Sequence, residues 1–249
     1  MPTLIQVRDE SIEKLLRRFK ARGGIVNCFV FRCDKDESEI ERHRAVAGES
    51  LRLLIKRRHQ ESVDNVEASY ETAAKELTKT VGRQRDKRNL PQIDYRKLAE
   101  QQRPIAVLNE SINESILNQD VPQKVSAEDF IGPGATYQRA FFDTPDPSLH
   151  DLPSGEKDFQ PEELEALKDR KECGGIFFLH ALPRDKIIFA ALNDRLFGET
   201  DRLTVYQWGT KCSDYFLEED DYLWGNYFWT VYSPTFDWYV GILAAAFID

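Results

Sequence analysis

The sequence predicts an α+β protein: an N-terminal β-α-β unit, a long helical hairpin arm, a proline-rich extended connector and a compact aromatic-rich C-terminal α+β domain with an antiparallel sheet. Three observations carry this expectation. Residues 38–82 contain no proline and repeat apolar side chains at helical spacing. Six of the eleven prolines fall between 122 and 161. Fourteen of the 28 aromatic residues, with all four Trp, follow residue 200, so the bulkiest apolar side chains gather at one end. The expected domains are therefore 1–120, 121–160 and 161–249.

From the N-terminus, "TLIQV" (3–7) has strand character, and Asp9 is placed to cap a helix whose Ile12, Leu15, Leu16 and Phe19 recur on one face. Gly23-Gly24 ends that helix. "GIVNCFVFR" (24–32) has the β-branched and aromatic content of a second strand. Ser38 with Glu41 makes a capping box that opens the long helix. Within it Val63, Val66, Tyr70, Ala73 and Leu77 are spaced as a coiled-coil seam, and Ala47, Leu51 and Leu54 continue upstream in a shifted phase. An antiparallel partner is expected from 93–102 and from 105–119, where Ile105, Leu108, Ile112 and Ile116 form an apolar stripe.

The segment 121–160 lacks a period and is expected to be an extended connector. Beyond it, "PEELEALKDRKE" (161–172) suits a short helix, "GGIFFLHAL" (174–182) a buried strand, and "RDKIIFAALNDRLFG" (184–198) a helix begun by Pro183 and stopped by Gly198. "RLTVYQW" (202–208) is the next strand. Tyr227, Trp229 and Val231 alternate with Phe228, Thr230 and Tyr232, Ser233-Pro234 turns the chain, and Trp238, Val240 and Ile242 alternate again, which predicts a β-hairpin. The uncharged run 238–248 is eleven residues, roughly half of what a membrane-spanning helix needs.

Charge is divided along the chain. Residues 1–100 carry 22 Lys/Arg against 17 Asp/Glu, whereas 101–249 carry 12 against 26. Four scattered cysteines, and a start without a basic stretch leading into an apolar one, point to reduced thiols and a cytoplasmic setting. Neither a P-loop nor a G-x-G-x-x-G pattern occurs, so no nucleotide cofactor of the common kinds is expected. Cys28 and Cys33 are an odd number apart on one strand, and His43 and His59 lie sixteen apart on one helix, about 24 Å along its axis. The histidines cannot share a metal, and the cysteines could do so only if the strand ended before Cys33, so no metal is expected.

Three functional classes follow. The first is a non-catalytic interaction or assembly protein, of adaptor, immunity or virion-structural type, with self-association through 40–81 and an acidic aromatic face at Tyr215, Glu218, Glu219, Asp220, Asp221, Tyr222 and Trp224 for a basic protein partner. The second is a hydrolase of unfamiliar type using Cys173 with His180, or clustered carboxylates. The third is a nucleic-acid binder using Arg52, Lys56, Arg83, Arg85, Lys87 and Arg88, although Glu61, Asp64 and Glu67 dilute that basic field.

"VRDESIEKLLRRFK" (7–20) resembles the opening of the twenty-first small-subunit ribosomal protein family, where a strand leads to a helix bearing Leu-Arg-Arg-Phe. The likeness covers 14 residues and lacks that family's arginine-rich continuation, so it implies no RNA-binding role for this chain.

Overall fold

The computed structural model describes residues 2–21, 25–34, 36–85, 110–132, 136–137, 140, 183–216 and 225–246. Their elements, in order, are β1 (Leu4–Val7), α1 (Glu10–Lys20), β2 (Asn27–Cys33), α2 (Glu39–Arg85), α3 (Glu114–Gln119), β3 (Gln123–Val125), α4 (Ala127–Ile131), α5 (Pro183–Phe197), β4 (Thr204–Gln207), β5 (Gly225–Ser233) and β6 (Trp238–Ala246). The fold is α+β. All six strands join one sheet in the order β1-β2-β6-β5-β4-β3, and every neighbouring pair is antiparallel.

Local signals explain where the elements begin and end. The Asp9 carboxylate accepts from the Ser11 and Ile12 amides at 2.8 and 3.0 Å, satisfying donors that the first turn of α1 leaves open. The Ser38 hydroxyl accepts from the Glu41 amide at the start of α2. Gly198, at φ 64°, ends α5 in the left-handed region that glycine enters without strain. The β5–β6 turn then fastens onto that helix end. Trp238 Nε1 donates to the Leu196 carbonyl at 2.7 Å and Ser233 Oγ to the Phe197 carbonyl at 2.8 Å, so side chains from the hairpin satisfy two of the orphan carbonyls of α5.

Alternation divides the sheet into two faces, each covered by helices. The first face presents Cys28, Val30, Val205, Trp229, Val231, Val240, Ile242 and Ala244 to the buried stripe of α1, the stripe of α5 and the segment around Phe130 and Tyr137. Five rings meet here: Phe130 stacks on Tyr137 at 4.8 Å, and Trp229, Phe197 and Phe189 lie between 5.6 and 6.2 Å from Tyr137. The second face presents Asn27, Phe29, Phe31, Phe228, Thr230, Tyr239, Gly241 and Leu243, and the opening turns of α2 lie on it. Gly241 explains that approach: a Cβ there would meet Ser50 Oγ at 1.8 Å and Ser50 Cβ at 2.7 Å.

The chain divides into two compact units, Met1–Leu51 with Ile112–Asp249, and Arg52–Ser111. Neither expected boundary, 120 or 160, falls at an edge of these units. Strand β2 pairs with β6, and β3, inside the expected connector, pairs with β4, so the two ends of the chain and the middle share one sheet. Sequence periodicity identifies strands but says nothing about which strand lies beside which. The shifted phase of Ala47, Leu51 and Leu54 now has a cause. The upstream stripe of α2, with Val46, Ala47 and Leu51 fully buried, belongs to the sheet unit, and the change of phase falls beside the boundary at Leu51.

Of the stripe expected at Ile105, Leu108, Ile112 and Ile116, the first two lie outside the described residues and the last two do not form a buried face. Ile112 bridges Ser213, Ile116 is 42% exposed and Leu117 is buried in its place. Within Arg52–Ser111, the Arg58 guanidinium grips Glu110 through Nε and Nη2 at 2.8–2.9 Å, tying α2 to the chain segment before α3. Tyr70, Ala73 and Leu77 of the seam, the 93–102 arm, the 161–172 helix and the 174–182 strand lie outside the residues or side chains described.

Candidate functional site

A connected set of polar side chains lies where α2 meets the second face. His43 shares the α2 stripe with Ala47, Leu51 and Leu54, and that stripe is the sequence signal that could have marked it as buried. It is fully buried, and its ring sits between Tyr206 on β4, at 4.7 Å, and Tyr239 on β6, at 5.1 Å. Nδ1 lies 2.8 Å from Thr230 Oγ1 on β5, which also accepts from Trp208 Nε1 at 2.9 Å. Nε2 has no hydrogen-bond partner.

Around this slot stands a rim of charges. Glu39 Oε1 accepts from Lys124 Nζ at 2.9 Å and from the Tyr206 hydroxyl at 2.8 Å. Both contacts hold the Glu39 carboxyl below its ordinary range, Lys124 first, and the Glu39 carboxylate in turn raises the Lys124 ammonium. The Arg42 guanidinium lies 5.9 Å from the Tyr239 ring centre. Arg44 donates to the Asn118 and Asp120 carbonyls and lies 5.8 Å from the Trp208 ring. Burial, reinforced by Arg42 and Lys124 and opposed by Glu39, pushes the His43 imidazole down to about 3. A fully enclosed, neutral imidazole of this kind positions a helix. It has no surface through which to take a proton from a dissolved substrate.

The residues singled out by the sequence are dispersed. Tyr215 is buried, its hydroxyl accepting from Asn27 Nδ2 at 3.3 Å and its ring 4.8 Å from Phe216, which is buried too. This corrects its expected place on an acidic recognition face: with the neighbouring Cys212 and Phe216, Tyr215 turns inward as sheet cover. Glu218, Glu219, Asp220, Asp221, Tyr222 and Trp224 lie outside the described residues, as do Cys173, His180, Lys87 and Arg88. Arg52 and Lys56 are exposed on α2, and the side chains of Arg83 and Arg85 are not described.

Cys28 and Cys33 both fall within β2 and therefore leave it on opposite faces, with Cys28 in the first-face core. Among the described residues no three His, Cys, Asp or Glu side chains converge as metal ligands, and no helix is long and apolar enough to cross a membrane. No family model, curated protein or solved structure matches the chain.

Proposed function

We propose that the protein is a non-catalytic interaction or assembly protein and that Arg52–Ser111 is the part that engages another macromolecule, with a second copy of this chain as the first partner to test. The observation that carries this reading is the division of α2. At about 70 Å the helix is far longer than the sheet needs, and only its turns up to Leu51 belong to the sheet unit. Beyond them Val63 and Val66 are half-buried, and exposed pairs such as Gln60–Asp64 and Glu71–Lys75 flank them.

Charge supports the same reading. Arg52–Ser111 carries 13 Lys/Arg against 9 Asp/Glu, and the remainder of the chain 21 against 34. The basic excess of one copy therefore complements the acidic excess of another, which favours encounter and makes it salt-sensitive.

Sedimentation of the full chain at low and high salt tests the reading. A concentration-dependent dimer at low salt, weakened by salt and reduced to monomer by Val63→Asp with Val66→Asp, is the expected result. A strictly monomeric wild-type chain that binds nothing through this unit would defeat it. The exposed Arg52 and Lys56 leave nucleic acid as a second reading, and its signature is retention on duplex or single-stranded nucleic acid that falls steeply with salt.

A further inference from the structure

The polar join between α2 and the sheet carries an inference separate from the proposed partner. We infer that His43 is an acid-released latch: as a neutral ring it holds the opening turns of α2 against the sheet, and on protonation those turns lift away from Thr230, Tyr206 and Tyr239.

The argument is geometric. A neutral imidazole needs one hydrogen bond at the slot, and Thr230 Oγ1, 2.8 Å from Nδ1, provides it. The second nitrogen then carries no obligation if it bears only a lone pair. An imidazolium donates from both nitrogens. Its Nε2–H would point into a buried site where no acceptor is in reach, leaving an ionised donor unmet.

Charges face the slot from two of the elements packed around it, α2 and β3. Arg42 on α2 and Lys124 on β3 are cationic and oppose a third positive charge. Glu39, one turn before His43, favours it but is already committed to Lys124 and the Tyr206 hydroxyl. Tyr206 on β4, Tyr239 on β6, Thr230 on β5 and Trp208 after β4 are uncharged near neutral pH, and burial raises both tyrosine hydroxyls further.

The release is directional because the other contacts of these turns are separable from the sheet core. Val46 and Ser50 rest on Gly241, where a side chain is missing. Arg44 donates to the backbone carbonyls of Asn118 and Asp120 and lies over the Trp208 ring, none of which belongs to the β5–β6 ladder. By contrast β5 and β6 pair along nine residues each. Lifting α2 therefore leaves the strand ladder closed.

Linkage gives the size. The released ring regains its ordinary value of 6.5, whereas the docked ring sits at about 3. A depressed basic group stabilises docking above 6.5 and loses that contribution as pH falls towards 3. Between pH 7.5 and 5 the opening equilibrium should rise roughly thirtyfold.

Amide hydrogen exchange of the full chain, corrected for the intrinsic pH dependence, measures that equilibrium residue by residue. Amides of residues 39–51 should lose protection by about that factor on going to pH 5, with β5 and β6 unchanged. In His43→Phe, which keeps a ring between the two tyrosines but cannot titrate, the factor should fall to near one. Constant protection of 39–51 in the wild type, equal loss across β5 and β6, or an undiminished rise in His43→Phe would each overturn the latch. Should the Phe variant fail to fold, imidazole nitrogen shifts of the wild type decide: a protonated His43 with 39–51 still protected refutes the inference.

Discussion

Both faces of the sheet bury apolar side chains, but what positions the helix on each differs. On the first, α1, α5 and the segment around Tyr137 bury five rings against β5 and β6, and the attraction is the non-directional burial of large apolar area, on the order of 150–250 Å² for each ring. On the second, α2 comes close because Gly241 has no side chain, and hydrogen bonds at Thr230, Asn118 and Asp120 fix where it lies. The first face is fixed by the close packing of many rings. The second specifies one position, and is correspondingly sensitive to a single atom or a single proton.

Removing the largest ring gives the strongest test of that contrast. Trp229, fully buried and in ring contact with Phe130, Tyr137 and Tyr227, should cost about 3–5 kcal/mol as Trp229→Ala, measured as a fall in denaturant midpoint. A loss under about 1 kcal/mol would mean that the rings pack loosely.

On the other face, adding an atom should do the damage. Gly241→Ala should destabilise by about 1–3 kcal/mol, because the new methyl overlaps both Ser50 Oγ and Ser50 Cβ. Ser50→Gly in the same chain should recover most of that loss once the cost of Ser50→Gly alone, measured separately, is subtracted. Ser50→Ala should recover less, since it leaves the Cβ in place. Additive effects in the double-mutant cycle would contradict the close approach.

Smaller effects sharpen the comparison. Asp9→Ala should cost about 1 kcal/mol by leaving two α1 amides without an acceptor, seen as a lower Tm with unchanged sheet spectra. Lys124→Ala, at the solvated rim of the second face, should cost a few tenths of a kcal/mol, because exposed pairs are screened. The Glu39 carboxyl is held below its usual range in the fold, so that small stabilisation is present above the ordinary carboxylate value and fades as pH falls through the lowered one.

Much of this architecture was legible in the sequence because it depends on nearest neighbours. Asp9 and Ser38 announce helix starts, Gly198 a helix stop, and the alternation of 227–232 with 238–242 a hairpin, each through bonds or sterics that span only a few residues. What the tertiary structure alone decided is partnership at long separation: that β2 lies against β6, that Tyr215 turns inward to Asn27, and that a histidine on an apolar stripe meets a threonine 187 residues later. Helical and strand periods record which side of an element is apolar. The residue waiting on the other side is chosen by the closure of the whole sheet, where backbone pairing and side-chain volume must be satisfied together, and no local pattern encodes that choice.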